Sequence, residues 1–306
     1  MPTSAELLAR RFRNAGDGSD RLAGIATFTC AVMLFAVVDT SAKWLMMAGL
    51  PALSVAFMRY FGALAVMLAT ALPREGLAAF RSVNPRLQFM RSVCLMLSTV
   101  LNFIALSYLS LSVVVSIMFA GPVMTTLLAV PLLGEKITPK RLAAVLLGFA
   151  GVLVVMQPWG AAFEPAMLIS VTAMLATSSY FILTRRLAHE TQTTQQLWSS
   201  AVATTVLLPL VVTRWVWPEG AVEWAVFLLI GPVALAAHML VVAAHRLAPA
   251  SVLAPVIYLQ LIFVSITGYV IFGSVPGLSV VFGGAIIIAA GLWLRQIDRA
   301  AVRRGG

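Results

Sequence analysis

The sequence predicts an all-α polytopic membrane protein of ten transmembrane helices, arranged as two inverted five-helix repeats. Three observations carry this. The chain is 61% hydrophobic and only 10% charged, which leaves too little polar surface for a water-soluble globule of 306 residues. Ten apolar runs, five before Gln157-Pro158 and five after, are each long enough to cross a hydrocarbon core of ~30 Å as a helix at ~1.5 Å per residue. Finally, nearly every Lys and Arg falls in alternate gaps between these runs. Five is odd, so two equivalent halves must sit upside down relative to each other, an arrangement that points toward transport.

The runs place spans near residues 22–47, 52–72, 87–107, 112–133, 139–156, 165–185, 194–213, 222–244, 250–272 and 278–294. Residues 1–21 are expected as a tail before the first span, 22–156 as the first repeat, 157–164 as an outer linker, 165–296 as the second repeat and 297–306 as a C-terminal tail. The turns at Gly49–Pro51, Tyr108–Leu111 and Gly273–Gly277 are so short that neighbouring helices must run antiparallel. Thr3 and Glu6 form a capping-box pattern in a stretch mixing Leu7, Leu8 and Phe12 with arginines, consistent with an interfacial helix or with a plain basic tail. Cys30 and Cys94 fall inside spans and read as small buried apolar residues.

A net charge of +10 raises the question of nucleic acid, but the positives are spread over short loops and form no basic face, so no nucleic-acid partner is expected. They mark topology. Arg10, Arg11, Arg13 and Arg21 precede the first span, and Arg74, Arg81, Arg86 and Arg91 flank the second gap. Lys136, Lys140 and Arg141, then Arg185 and Arg186, Arg246, and finally Arg295, Arg299, Arg303 and Arg304 follow at the remaining even gaps and the C-terminus. The odd gaps hold Arg214. By the positive-inside rule both termini are expected in the cytoplasm, and Trp44, Trp159, Trp215, Trp217 and Trp224 lie near the opposite interface.

The repeat is legible directly. Leu109-Ser-Leu-Ser-Val-Val-Val-Ser116 aligns with Leu247-Ala-Pro-Ala-Ser-Val-Leu-Ala254 at an offset of 138, Leu133-Gly-Glu-Lys-Ile-Thr-Pro139 with Phe272-Gly-Ser-Val-Pro276 near 139, and Ala144…Gly151 with Gly284…Gly291 at 140. Together with Gly121-Pro122, Leu147-Gly-Phe-Ala-Gly-Val-Leu-Val-Val155 and Ala244-His-Arg-Leu-Ala-Pro-Ala-Ser-Val-Leu-Ala-Pro255, these motifs resemble the drug/metabolite transporter superfamily of EamA type over roughly residues 24–294. The resemblance implies a central cavity between the two repeats, with the last helix of each repeat peripheral. It also implies a substrate drawn from amino acids, nucleoside-type metabolites, S-adenosylmethionine, riboflavin or organic anions. Ser274 departs from the pattern, standing where the first repeat has Glu135.

A charge in hydrocarbon costs a few kcal/mol or more, so each one asks for an explanation. Asp39, Lys43 and Arg59 qualify. Asp39 and Arg59 lie at comparable depth, roughly 12–18 Å from the outer turn at ~1.5 Å per residue, and Lys43 is one turn from Asp39 on the same face, placed to pair with it or to snorkel outward. Two readings stand for this trio: cations presented to a substrate carboxylate or phosphate, with Asp39 setting charge or exchanging a proton, or an internally neutralised network. At the repeat-related positions the second half has Ser178, Ser179, Tyr180 and Trp198-Ser199, an asymmetry that suits a polar amphiphilic ligand.

Asn102, Tyr180, His238, Tyr258 and Gln260 complete the candidate substrate-binding set, each with helix-to-helix bonding as the alternative. Arg91 is expected to snorkel to headgroups, with a gate role beside it; Pro122 and Pro255 are candidate hinges or static kinks. Gly148, Gly151, Gly283, Gly284 and Gly291 read as close helix packing.

With three scattered His and no acidic pair set across a cleft, the chain lacks the catalytic clusters of membrane enzymes, and neither a metal site nor a cofactor is expected. No pore-lining polar stripe suggests a channel. The expected function is secondary transport of a small amphiphilic metabolite across the cytoplasmic membrane, first an amino acid or related zwitterion, then a vitamin or nucleoside-like solute. Its partners would be that solute and the bilayer, as monomer or homodimer.

Overall fold

The computed structural model describes residues 18–133, 138–160, 163–187, 189–248 and 253–304. Among these there is no strand, and nine helices are long and apolar enough to cross a membrane; a tenth apolar helical stretch, Val256–Phe272, is shorter. The all-α polytopic expectation holds. The Thr3–Glu6 pattern, Glu135 and most of the loop that carries it lie outside the described residues.

The first half comprises α1 (Gly18–Met47), α2 (Ala52–Glu75), α3 (Pro85–Tyr108), α4 (Leu111–Met118), α5 (Gly121–Leu133) and α6 (Pro139–Met156). The second comprises α7 (Ala166–Arg186), α8 (Gln192–Val212), α9 (Ala221–Leu247), α10 (Leu259–Phe272) and α11 (Leu278–Arg304). Their ends follow local chemistry. Asn84 accepts from the Leu87 amide ahead of α3, Thr138 from Arg141 ahead of α6, and Thr191 from Thr194 ahead of α8. Gly49 at φ 97° and Gly273 at φ 65° make the tight turns after α1 and α10 in a backbone conformation natural to glycine.

Several boundaries differ from expectation. The second span continues through Pro73 to Glu75 and then into a 3-10 turn, Gly76–Phe80. The last helix runs on to Arg304, so most of the tail expected from residue 297 is helix. Cys30 is exposed on the outer surface of α1 and Cys94 is half-buried, so neither is the buried core residue expected. A small sulfhydryl is tolerated where the surroundings are lipid tails as apolar as a protein core.

The fourth span is broken into α4 and α5. Pro122 has no amide hydrogen and its ring conflicts with the carbonyl four residues back, so the helix stops at Met118 and restarts at Gly121. Ser178 of α7 donates to the Gly121 carbonyl at 3.1 Å and satisfies it. The ninth span is broken at the corresponding place, with Pro255 in the 3-10 turn Ala254–Tyr258 before α10. Pro209 and Pro232, in contrast, sit inside continuous helices.

Packing pairs α6 with α11, α1 with α9, α3 with α7, α2 with α8 and α4 with α10. Exchanging the first five spans for the last five maps this set of pairs onto itself. The peripheral α6–α11 pair meets through glycines: a methyl group on Gly151 would lie 2.9 Å from the Gly283 carbonyl oxygen, and one on Gly283 would lie 2.7 Å from that of Gly151. A second close crossing joins α2 to α9, where a methyl group on Gly231 would lie 2.7 Å from the Arg59 carbonyl oxygen. Packing of backbone on backbone is a principal source of helix association where no hydrophobic effect separates helices from lipid.

At the tryptophan-rich end, Trp215 packs edge-on against Phe57 at 5.7 Å and Trp217 at 5.1 Å, and Trp217 stacks on Trp224 at 5.5 Å. This cluster joins α2 to the α8–α9 connection. The opposite, arginine-rich end is closed by polar contacts: Glu190 accepts from the Ser82 hydroxyl at 2.6 Å and the Val83 amide at 2.8 Å, and the Trp198 indole donates to the Phe80 carbonyl at 2.9 Å.

Gly231→Val is expected to lower stability by about 1–3 kcal/mol, the range for overpacking a tight site, because the obstruction is backbone and cannot rotate away. A thermal melt in detergent followed by size-exclusion recovery should show the loss, whereas Val at Gly49, where nothing lies within 4 Å, should cost only its backbone strain.

Candidate functional site

Asp39, about halfway along the outer part of α1, meets two other residues singled out from sequence. Asn102 of α3 donates its Nδ2 to Asp39 Oδ1 at 3.2 Å, and Gln260 of α10 donates its Nε2 to Oδ2 at 3.2 Å. Three helices thus converge on one carboxylate through neutral amides. Thr40, the next residue, ties α1 to α10 again through Thr267 at 2.8 Å.

Lys43 does not pair with Asp39; its half-buried side chain runs to the end of α3, where the ammonium donates to the carbonyls of Leu106 at 2.9 Å and Leu109 at 2.7 Å and stands 5.8 Å from the centre of the Phe272 ring. The last carbonyls of α3 lack helical partners and carry the negative end of its dipole, so a cation there satisfies both.

Arg59 is buried at 9% exposure. Its Nη1 donates to Thr99 Oγ1 at 3.0 Å, and its guanidinium lies 4.9 Å from the centre of the Tyr60 ring. The Tyr60 hydroxyl bridges the Leu95 carbonyl and Thr99, fixing α2 against α3. Arg59 acts on Asp39 through space without touching it. Among the described residues no carboxylate lies within ion-pair distance of the Arg59 guanidinium, which has donors to spare from its set of five.

A small cavity of about 10 Å³, room for about one water, opens beside Arg59. Its polar lining is Arg59, Tyr60, Gln196, Ser199, Ser200 and His238. The His238 ring packs edge-on against Phe35 at 5.1 Å, and its buried Nε2 has no hydrogen-bond partner. A cation with unused donors and an unmatched imidazole nitrogen therefore line one small cavity between α2, α3 and the second half.

Arg91 overturns the expectation of snorkelling most sharply: it is 2% exposed. Its Nε donates to Thr184 Oγ1 at 2.8 Å, Nη1 to the Gln195 carbonyl at 3.1 Å and Ser199 Oγ at 2.9 Å, and Nη2 to the Tyr180 hydroxyl at 3.1 Å. The guanidinium also stacks 4.7 Å from the Tyr180 ring centre. One side chain of α3 thereby holds α7 and α8, and Ser199 links this fork to the cavity. A helix-bound arginine snorkels only when water or headgroups are its best acceptors; here the facing helices supply four.

The structure thus gathers Asp39, Asn102 and Gln260 into one cluster, Arg59 and His238 into a second, and Tyr180 with Arg91 into a third. It leaves Tyr258 apart: the ring packs edge-on against Phe119 at 5.3 Å and the hydroxyl rests on Gly291 of α11, which has no side chain to obstruct it. Thr99, Ser200 and Gln196 were not singled out, and Ser199 was named only as standing at the position related to Arg59 by the repeat. The polar run Gln192–Ser200 opens the seventh span, whose mean hydropathy of 1.3 is the lowest of the candidate spans, and that was the signal available for the last three.

Comparison with known proteins adds the following. The model of the EamA-like transporter family matches residues 22–157 and 164–295. The chain is 27% identical to a riboflavin transporter of Brucella anthropi, over 89% of this chain and 98% of that one. It is 26% identical to an S-adenosylmethionine uptake transporter of Rickettsia felis, over 92% and 96%. It is also 26% identical to a pseudopaline exporter of Pseudomonas aeruginosa, over 91% and 96%. A solved crystal structure 19% identical in sequence superposes with a TM-score of 0.63 over 91% of this chain and 98% of its own, a likeness of fold alone.

Arg91→Ala is expected to destabilise the protein by about 2–4 kcal/mol, since it strands several buried acceptors at once. Arg91→Lys should recover less than half of that, because an ammonium cannot span the fork. Melting temperatures of the two variants in one detergent would check both statements.

Proposed function

The chain belongs to the EamA-like transporter family, a multi-pass membrane protein that moves a small metabolite and is not an enzyme, and on that premise we propose how it works and what it carries. It operates by alternating access in the cytoplasmic membrane, with its substrate held in the cavity that Arg59 and His238 line. The observation that carries this assignment is the buried guanidinium of Arg59, which has spare donors and, among the described residues, no carboxylate in contact, and which lines a small cavity between the halves. A desolvated cation of that kind is expensive unless something anionic or strongly accepting completes it.

The cavity's present size, about 10 Å³, admits no metabolite, so substrate binding there requires the bundle to open further. Opening must separate either the aromatic cluster at the tryptophan-rich end or the Arg91 and Glu190 contacts at the other. The paired breaks at Pro122 and Pro255 are the hinges in this reading, being places where two facing spans bend without losing further hydrogen bonds. Arg91 is the bolt of the arginine-rich end. Loop charge supports placing that end and both termini in the cytoplasm.

As to substrate, relatives named for riboflavin and for S-adenosylmethionine favour a vitamin or nucleoside-like solute over the free amino acid that the sequence put first. The aromatic and hydroxyl lining beside Arg59 suits a ring system bearing a polar head.

In proteoliposomes offered labelled riboflavin, S-adenosylmethionine and a panel of amino acids, counterflow is expected for a ring-bearing solute. Arg59→Ala should cut the rate at least tenfold while the protein remains inserted and folded, with Arg59→Lys intermediate. Unaltered kinetics in Arg59→Ala would remove this residue, and with it this cavity, from the substrate path.

A further inference from the structure

We propose that Asp39 is the coupling proton site of this transporter: it takes up a proton when a carboxylate- or phosphate-bearing substrate binds beside Arg59, and the two are released together on the other side. The proposal rests on the transport reading above and adds to it an energy source and a charge class for the substrate.

The first argument is the choice of partners. A carboxylate meant to stay ionised in hydrocarbon is held by a cation in contact. Two cations are at hand, Lys43 one turn away on the same helix and Arg59 on the neighbouring one, yet both are turned to other acceptors: Lys43 to the Leu106 and Leu109 carbonyls, Arg59 to Thr99. Asp39 is left with the amides of Asn102 and Gln260. An amide differs from a cation in carrying an acceptor as well as donors. With Asp39 ionised, both amides donate to it, as in this conformation. With Asp39 protonated, a half-turn of one amide presents its oxygen to the new O–H while the other continues to donate to the remaining carboxyl oxygen. In both protonation states each carboxyl oxygen keeps a hydrogen-bond partner, which a lysine or arginine partner, having no acceptor, would not allow.

The second argument is charge. The ionisable groups on elements packed against α1 in this region are Arg59 and Tyr60 of α2, His238 of α9 and Tyr258 before α10; α3 and α10 present the two amides, and α4 carries no ionisable side chain. Tyr60 is committed to Leu95 and Thr99, His238 packs on Phe35 and Tyr258 on Phe119. Arg59 is therefore the cation that acts on Asp39 through space while Asp39 is ionised. Converting the carboxylate and a proton to the neutral acid exposes the Arg59 charge to an incoming anion. By linkage the reverse holds equally: an anion on Arg59 favours the proton on Asp39. Releasing the anion restores the ionised acid and returns the proton to the side then open. Co-transport in the same direction follows from that sign, whereas competition for one site would have given exchange.

The test uses the full-length protein in proteoliposomes, with the membrane potential clamped at zero by potassium and valinomycin. The probes are labelled S-adenosylmethionine, which bears a carboxylate, and labelled riboflavin, which bears none. An acid exterior is expected to drive accumulation of S-adenosylmethionine toward a limit of about tenfold per pH unit for one proton per substrate. Asp39→Asn should still exchange the probe, but with no response to the gradient and no variation with pH; Asp39→Glu should retain gradient drive. Gradient-driven accumulation that survives Asp39→Asn overturns the proposal, as does wild-type exchange without accumulation, or movement of riboflavin but not of S-adenosylmethionine. Failure of both probes to exchange would instead count against the substrate assignment, and infrared difference spectra of the purified protein then decide the proton site. A protonated-carboxyl band that appears on acidification and is absent from Asp39→Asn supports it; no such band, or one that persists in the variant, overturns it.

Discussion

Arg91 carries a full charge in a place that water does not reach, and that requirement organises the contact between the two halves. Its guanidinium needs acceptors in a plane, and α7 and α8 can present Thr184, Tyr180, the Gln195 carbonyl and Ser199 together only in one relative position. In water such a bond would exchange with solvent at little cost. Inside a membrane bundle the alternative is an orphaned ion, so the geometry is steep and the two halves register against each other through it.

The same constraint accounts for the other buried polar groups. Lys43 completes the end of α3, Thr99 serves both Arg59 and Tyr60, and Ser178 donates to the Gly121 carbonyl beside the break at Pro122. Most of these cations are met by neutral oxygens that belong to the backbone or to hydroxyls. Among the described residues, buried side-chain atoms without a hydrogen-bond partner occur at Ser54, Gln88, Ser116, Thr125, Ser170, Thr204, Trp215 and His238, and the Arg59 cavity is where one of them, His238 Nε2, lies beside a guanidinium with donors unused. That juxtaposition is the ground on which the solute site is proposed.

Helix packing makes the scaffold able to hold these positions. The Gly151–Gly283 and Gly62–Gly231 crossings bring backbones into contact, which makes them rigid pivots. The broken fourth and ninth spans are the contrasting elements: short helical segments, already interrupted at Pro122 and Pro255, that bend most cheaply. Rigid crossings beside interrupted helices are the arrangement on which the proposed hinge movement draws.

Much of this was legible in the chain. Hydropathy and loop charge gave most span boundaries to within a few residues, with the last helix running ten residues beyond its expected end, the glycines were recognised as close-packing positions without their partners, and depth singled out Asp39 and Arg59. Asn102 and Gln260 were each recognised as buried amides, but nothing in their spacing tied them to Asp39. Arg91, a turn into its span, read as a snorkelling residue because sequence reports distance along the helix and not which way a side chain faces. That is the general reason for what was missed. In a soluble protein a helix has a wet face and a dry face, and the period of its apolar residues reveals its rotation. Here both lipid and interior are apolar, so that period nearly vanishes. The sequence by itself therefore determined that the chain lives in a membrane, how often it crosses and which half holds the deep charges. Only the tertiary structure decided how each helix is rotated about its axis, and hence that Lys43 caps a helix, that Arg91 joins the halves, and that Asp39 is left to two amides beside an arginine it does not touch.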